Sequence, residues 1–149
     1  MKLTIRKTKK GDIEKYVIPI EKFNMKNYDS SIAIEEIKND FLEDSKKGSV
    51  FFLEIEGKTI GFFSFTNNEK KSSLHINNMQ IDKDYQGKGF GKEILDLIEI
   101  EAKKLKCSKI TLSVFKTNRA IKLYTKFGFK ENTNKSDDKV ARMEKEIEL

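Results

Sequence analysis

A run of glycines between a strand pattern and a helix pattern constrains this chain most. The run is Gln86-Gly87-Lys88-Gly89-Phe90-Gly91-Lys92. Apolar residues alternate before it, as in a strand, and recur at helical spacing after it, at Phe90, Ile94, Leu97, Ile98, Ala102 and Leu105. The first turn of a helix has unpaired N–H donors, and glycine lets an anion approach them. The pattern predicts a phosphate-binding loop, the alternative being a plain turn with helix-entry glycines.

Two well-known phosphate loops do not match this run. A P-loop would need a glycine at position 86 and a serine or threonine at position 93, where the chain has Gln86 and Glu93. A dinucleotide fingerprint would need a glycine at position 92 or 94, and these are Lys92 and Ile94. The remaining pattern is Gln-x-x-Gly-x-Gly, from Gln86 to Gly91.

The strand before the loop changes the parity of its apolar residues. Leu74 and Ile76 occupy even positions, whereas Met79 and Ile81 occupy odd positions beyond Asn77-Asn78. Because side chains alternate along a strand, a change of parity predicts a β-bulge that leaves backbone groups unpaired. The alternative is that the two asparagines are polar residues on a solvated edge.

A second motif follows a predicted strand over Lys109–Phe115, which would lie parallel to the first one. The motif is Asn118-Arg119-Ala120-Ile121-Lys122-Leu123-Tyr124-Thr125-Lys126-Phe127-Gly128-Phe129. As a pattern it predicts a short amphipathic helix with Gly128 at its C-terminal end.

Together the two motifs resemble those of the GNAT superfamily of N-acetyltransferases. In that family the loop that binds the pyrophosphate of acyl-CoA begins with Gln or Arg, followed by two residues, Gly, one further residue, and Gly or Ala. The second motif is Asn-x-x-Ala-x-x-x-Tyr-x-x-x-Gly-Phe, whose asparagine binds the cofactor arm and whose tyrosine stands beside the thioester sulfur. The resemblance implies a single GNAT domain over residues 1–149. Its α/β fold would have a mixed, mostly antiparallel sheet of about six to seven strands with a parallel, splayed central pair, flanked by about four helices.

The resemblance also implies a set of site residues and acetyl-CoA as the acyl donor, with no metal. Cofactor-binding residues would be Met79, Ile81, Gln86, Gly87, Lys88, Gly89, Phe90, Gly91, Lys92, Asn118 and Tyr124. Tyr124 would also be catalytic: a phenol has an ordinary pKa of about 10, near that of a thiol, so it can donate a proton to the departing thiolate.

The base that removes the amine proton is not identified by the sequence. Many family members have a glutamate at about the position of Asn77, and an asparagine cannot accept the proton. His75 and Glu54 are alternatives, and a water chain or an amine that binds already neutral would need no base.

Three function classes follow. The first is an acetyl-CoA-dependent N-acetyltransferase that acts on a primary amine of a small molecule, a protein N-terminus or a lysine by direct attack on the thioester. The second is a catalytically silent acyl-CoA-binding regulatory module. The third, a nucleic-acid-binding protein, would fit the net charge of +6, but the lysines are interspersed with acids. The acceptor amine is not identified.

Composition also leads to expectations about cellular location, partners and oligomeric state. The apolar runs are too short to cross a membrane, and no apolar segment follows the basic start, so we expect a cytoplasmic protein. Cys107 is the one cysteine and His75 the one histidine, which leaves no disulfide or metal set. We expect no nucleic acid and no membrane partner, and a monomer or homodimer.

In the rest of the chain, the residue patterns predict a strand from Leu3 to Lys7 and then a helix over Ile13–Phe23. Thr8 is the expected N-cap of this helix, and Pro19 is expected to kink or end it. Asn24–Ser31 is turn-rich, and a second helix runs from Ile34 up to Gly48. Val50–Glu56 and Thr59–Asn67 form a hairpin, in which Gly61 leaves room for a close neighbour. The tail could be a strand or a helix, and the family analogy favours an antiparallel last strand.

Overall fold

A computed structural model describes residues 2–25, 34–47 and 49–148 of the chain. Its strands are β1 Leu3–Lys7, β2 Val50–Ile55, β3 Lys58–Asn68, β4 Ser73–Ile81, β5 Lys109–Phe115, β6 Lys130–Glu131 and β7 Val140–Glu146. Its α-helices are α1 Ile18–Met25, α2 Ile34–Lys46, α3 Phe90–Lys104 and α4 Ala120–Phe127. Most of the predicted turn over Asn24–Ser31, and the predicted helix end at Gly48, lie outside the described residues.

The strands form a mixed sheet in the order β1-β2-β3-β4-β5-β7-β6. Strands β4 and β5 pair in parallel from Ser73↔Lys109 to Ile76↔Leu112. Neighbours β1 and β2, β2 and β3, β5 and β7, and β6 and β7 pair antiparallel. The predicted fold class is therefore confirmed: a mostly antiparallel sheet with a parallel central pair and, in the described residues, four α-helices.

The chain divides into two compact units. Unit 1 comprises residues 1–65 and 78–88, and unit 2 comprises residues 66–77 and 89–149. Strands β3 and β4 each contribute to both units. Whether residues 1–149 act as one domain stays a prediction.

The core of unit 1 packs apolar side chains of α1 and α2 against strands β2 and β3. The buried set is Ile13, Val17, Ile18, Ile20, Phe41, Val50, Phe52 and Phe62. Phe41 and Phe62 meet edge to face with ring centroids 5.1 Å apart. The hairpin turns at Glu56 and Gly57, which both have positive φ (51° and 80°) as a two-residue turn requires. A Cβ at Gly61 would collide with the carbonyl oxygen of Gln80, which confirms the predicted close neighbour.

The first helix of unit 1 departs from the prediction in two ways. A π-helical turn covers Ile13–Val17, and α1 then begins at Ile18 and continues to Met25. Pro19 is the second residue of α1, which follows the π-helical turn without a break, and the helix continues past Pro19 to Met25. Thr8 is not an N-cap: its hydroxyl donates to the carbonyl oxygen of Val50 (3.4 Å).

Unit 2 packs α3 through Phe90, Ile94, Leu95, Ile98 and Ala102, which are all buried. Leu105, predicted on this face, lies just past the helix end and is 40% exposed. Strand β7 pairs antiparallel with β5 from Lys109↔Glu146 to Phe115↔Val140, which confirms the expected last strand. Within the described ranges, no helix is long and apolar enough to cross a bilayer.

Candidate active site

The first half of the glycine run belongs to unit 1 and is held by side-chain hydrogen bonds. Asp82 accepts from the backbone N–H of Asp84 (3.0 Å) and starts the 3-10 turn Lys83–Tyr85. The Gln86 side-chain amide then donates to Oδ1 of Asn24 and to the carbonyl oxygen of Ile81, both at 2.9 Å. Gln86 therefore fixes the way the chain leaves β4.

The glycines differ in what requires them. Gly87 (φ 73°) and Gly89 (φ 85°) have left-handed backbones, and a Cβ added to either would meet no atom within 4 Å. Gly89 is the N-cap of α3 in unit 2. A Cβ at Gly91 would collide with the side chain of Leu123 in α4, so this glycine allows α3 and α4 to pack closely. The side chains of Lys88 and Lys92 are exposed, whereas that of Phe90 is buried.

Strand β4 carries the residues predicted to meet the cofactor arm. Met79 and Ile81 belong to unit 1, and both are half-buried. Asn78 and Gln80 are half-buried too, so buried and exposed side chains no longer alternate along β4 beyond Asn77. The described pairing with β5 covers Ser73–Ile76, in unit 2. The bulge at Asn77-Asn78 stays a prediction.

A chain of side-chain hydrogen bonds in unit 1 links α1, β4 and the start of the glycine run. Nδ2 of Asn78 donates to Oε1 of Glu21 (2.8 Å), and Nε2 of Gln80 donates to Oδ1 of Asn78 (2.9 Å). Nδ2 of Asn24 donates to Oε1 of Gln80 (2.8 Å), and Asn24 in turn accepts from Gln86. We call Glu21, Asn78, Gln80, Asn24 and Gln86 the amide chain.

Sequence reasoning missed Glu21, although the signal was present. Glu21 is only 4% exposed, because it lies one turn after Val17 and Ile18, on the side of the helix that also packs into the core of unit 1. Burial raises the pKa of the Glu21 carboxyl, against the hydrogen bond from Asn78, which lowers it. A carboxylate among the apolar positions of a helix pattern is the signal.

The three polar residues considered at the base position have defined partners. Nδ2 of Asn77 donates to Oγ1 of Thr66 (2.8 Å). Oε2 of Glu54 accepts from Nε of Arg6 (3.0 Å), so this carboxylate is used in an ion pair. Nδ1 of His75 lies 2.7 Å from Oγ1 of Thr111, and burial, followed by the nearby Arg142, lowers the pKa of His75.

Tyr124 is buried on α4 in unit 2. Its ring packs edge to face on Phe129, with centroids 5.8 Å apart. Burial raises the pKa of Tyr124 to about 12. The expected match to a thiol rested on the ordinary phenol pKa, and this premise is corrected: the buried phenol is a weaker acid and keeps its proton at neutral pH.

Asn118 precedes α4 and helps to begin it. Its Oδ1 accepts from the backbone N–H of Ala120 (2.8 Å), which leaves its amide N–H₂ group as the remaining donor. Asn118 stands two residues before Ala120, one residue closer than in the family pattern. This spacing departs from the resemblance, and the half-buried Asn118 has at least a structural role.

Within residues 2–25, 34–47 and 49–148, no three histidine, cysteine or acidic side chains lie close enough together to hold a metal ion.

The protein-family comparison matches residues 16–129 to the acetyltransferase (GNAT) family. A probable spermine N(1)-acetyltransferase of Bacillus subtilis subsp. natto is 38% identical over 102 residues, which cover 61% of this chain and 67% of the relative. A spermine/spermidine N(1)-acetyltransferase of Bacillus subtilis is 37% identical with the same coverage.

Solved structures agree with the fold. The PaiA N-acetyltransferase of Thermoplasma acidophilum, determined in complex with coenzyme A, superposes with a TM-score of 0.78 at 22% identity, over 99% of this chain and 100% of that one. The family match covers most of the chain, and two curated relatives share more than a third of their aligned residues with it. This chain therefore belongs to the GNAT acetyltransferase family, and it is an acetyl-CoA-dependent N-acetyltransferase.

Proposed function

We propose that the acceptor is a polyamine, and that the chain transfers the acetyl group of acetyl-CoA to a terminal primary amine of spermidine or spermine. The observation that carries this proposal is the similarity to the two Bacillus relatives, whose names give these substrates. A second observation is consistent with a cationic acceptor: Glu21, in α1, keeps a buried carboxylate with no ion pair among the described residues.

The proposed cofactor site uses the glycine run. The left-handed Gly87 and Gly89 leave their backbone open to a ligand, and the first turn of α3 supplies N–H donors at the positive end of a helix dipole. Residues Gln86 to Lys92 would hold the pyrophosphate, with backbone groups of Met79 and Ile81 and the Asn118 amide on the cofactor arm. Bound acetyl-CoA supplies the thioester carbonyl that the amine attacks.

Tyr124 is the proposed partner of the departing sulfur. With a pKa of about 12, its hydroxyl is protonated at neutral pH and is available as a hydrogen-bond donor. Full proton transfer to a thiolate, whose thiol has an ordinary pKa of about 8.5, is uphill. The hydroxyl therefore acts chiefly by stabilising negative charge on sulfur as the C–S bond breaks.

A thiol-release assay with an acceptor panel tests the proposed function. The panel contains spermidine, spermine, putrescine, an aminoglycoside and a peptide with a free N-terminus, all with saturating acetyl-CoA. We expect the highest kcat/KM for spermidine or spermine and a singly acetylated terminal amine by mass spectrometry. A higher kcat/KM for the peptide or the aminoglycoside would overturn the polyamine assignment.

Tyr124→Phe tests the role of the tyrosine, because it keeps the ring on Phe129 and removes the donor. We expect acetyl-CoA affinity to persist and single-turnover transfer to slow by about a hundredfold. Phe127→Leu on the same helix is the packing control. A Tyr124→Phe rate equal to the wild-type rate, with chemistry rate-limiting, would leave the tyrosine a packing role.

A further inference from the structure

The Glu21 carboxylate is buried, and no counter-charge accompanies it in the part of the chain that the structure describes. Glu21 is 4% exposed, and its hydrogen bond comes from the neutral amide of Asn78. Within residues 2–25, 34–47 and 49–148 it has no ion pair, and no charged group perturbs its pKa. Removing a carboxylate from water is costly unless a cation or several donors compensate it, so this position is suited to a cationic partner that the described residues do not provide.

The amide chain determines which way the Asn78 amide points. Oδ1 of Asn78 accepts from Gln80, whose own oxygen accepts from Asn24, and the oxygen of Asn24 accepts from Gln86. Each amide therefore presents its N–H₂ group toward the next oxygen, and Asn78 must present a donor to Glu21. A donor at Oε1 favours the ionised carboxylate, and among the described residues the one hydrogen bond that shifts the pKa of Glu21 is this one.

The same chain brings Glu21 to the strand that is predicted to hold the thioester. Asn78 is followed directly by Met79, whose backbone N–H is a predicted donor to the cofactor arm. Gln86, at the other end of the amide chain, is the first residue of the predicted pyrophosphate loop and is fixed to the carbonyl oxygen of Ile81. The carboxylate is thereby tied through side chains to both segments of unit 1 that are expected to meet acetyl-CoA.

We propose that Glu21 pairs with the reacting ammonium group of the acceptor and takes its proton, in place of the glutamate that many family members carry at the position of Asn77. The inference rests on the proposed function. The ammonium gives one proton to Glu21, and the nitrogen lone pair forms the N–C bond to the thioester carbonyl. The nitrogen of the resulting tetrahedral intermediate still carries two hydrogens and a positive charge. As the C–S bond breaks, one of these protons passes to the departing thiolate, which leaves the neutral amide and the free thiol, and Glu21 returns its own proton to solvent.

The other residues considered as the base, Glu54, Asn77 and His75, fit this role less well. Glu54 is paired with Arg6, and Asn77 is an amide whose N–H₂ is donated to Thr66. His75 uses Nδ1 on Thr111 and lies in strand β4 ahead of Asn77. The raised pKa of Glu21 also improves it as a proton acceptor, because its conjugate acid is closer to neutral pH than that of an exposed glutamate.

The test compares two acceptors of the same shape that differ in basicity. Spermidine is protonated at pH 7.5, whereas spermidine with two fluorines on the carbon next to the reacting aminomethyl group has a less basic terminal amine, a larger share of which binds neutral. We expect Glu21→Gln to lower kcat/KM for spermidine by about a hundredfold. The loss for the fluorinated analogue should be at least tenfold smaller, since less deprotonation is needed.

Matched variants separate this role from a structural one. Glu14→Gln removes an exposed glutamate near the start of the same helical segment and should leave both acceptors unchanged, and His75→Gln should lower both equally or not at all. Glu21→Asp, which keeps a carboxylate, should recover part of the spermidine rate. Thermal unfolding confirms that each variant is folded.

Equal losses for the two acceptors in Glu21→Gln, or a spermidine rate close to wild type, would overturn the inference while leaving the polyamine assignment intact. Failure of the wild-type enzyme to acetylate spermidine and spermine at all would instead overturn the proposed function, and the inference with it.

Discussion

Among the described residues of unit 1, two carboxylates are buried to nearly the same extent, Asp12 at 5% exposure and Glu21 at 4%, and their surroundings differ. Asp12 receives a bidentate pair of hydrogen bonds from Arg6 (2.8 and 3.1 Å) and another from the backbone N–H of Lys9. Among the described residues, Glu21 receives one side-chain hydrogen bond, from a neutral amide. The pKa of Asp12 is lowered by Arg6 despite burial, whereas burial raises the pKa of Glu21.

This difference separates a structural carboxylate from a functional one. Arg6 also donates to Glu54 (3.0 Å) and to Oγ1 of Thr59 (3.1 Å), and its guanidinium lies 4.9 Å above the ring of Phe52. That cluster joins β1, β2, β3 and the start of the helical segment, and both of its carboxylates contact the Arg6 guanidinium. At Glu21 no described cation matches the carboxylate, and in our proposal the ammonium group of the acceptor supplies that charge.

The largest expected effect comes from removing the shared cation. Arg6→Met keeps the aliphatic stem on Phe52 but leaves Asp12 without its counter-ion, and it should lower the free energy of unfolding by about 3 kcal/mol. Urea unfolding measures this loss. Lys104→Met, which breaks an exposed pair with Glu101, is the control and should change stability by less than about 0.5 kcal/mol. Equal effects of the two variants would show that the Arg6 cluster is not structural.

A smaller effect distinguishes the two carboxylates directly. Asp12→Asn should cost about 2 kcal/mol, because it removes a charge-assisted pair from the half-buried Arg6 guanidinium. Glu21→Gln should cost nothing or raise stability, because a neutral group of the same shape can still accept from Asn78. The comparison fails if denaturant midpoints fall equally in both variants at neutral pH.

The pH dependence of stability gives the third and smallest effect. The folded pKa of Glu21 is raised, so its contribution to stability is present below its unfolded pKa and is lost as pH rises through the folded one. The folded pKa of Asp12 is lowered, so its contribution is present above its unfolded pKa and is lost as pH falls through the folded one. The melting temperature of wild type relative to Glu21→Gln should therefore fall with rising pH, and relative to Asp12→Asn it should rise from an acidic start. Slopes of the same sign would contradict this account.

Local patterns were enough to predict most of the fold. Strand β5 has the predicted ends at Lys109 and Phe115, because its alternation and flanking residues determine it without distant contacts. The π-helical turn was not predicted, because the periodicity of Ile13–Phe23 fits one continuous α-helix. The continuation of the helix past Pro19 was not predicted either, because a proline inside a helix pattern favours a kink or an end. The family was identifiable from its two motifs, because each motif is a short contiguous run of residues.

The chemistry of the site was less predictable, because it depends on contacts between distant residues. Glu21 accepts a hydrogen bond from Asn78, 57 residues later in the chain, and no spacing rule relates the two. The pKa of Tyr124 likewise depends on burial, which the spacing within α4 does not reveal. Sequence reasoning therefore predicts a cofactor loop from a contiguous motif and leaves the base open.

The most direct test of the central claim is the pKa of Glu21 with and without an acceptor. Glutamate side chains labelled with ¹³C at the carboxyl carbon can be titrated by NMR with coenzyme A alone and then with coenzyme A and spermidine, and the signal is assigned by its absence in Glu21→Gln. Without spermidine we expect a pKa above the ordinary glutamate range, and with spermidine we expect it to fall, because the ammonium group stabilises the ionised carboxylate. An unchanged Glu21 pKa, while calorimetry shows spermidine bound, would contradict the claim that the buried carboxylate pairs with the acceptor.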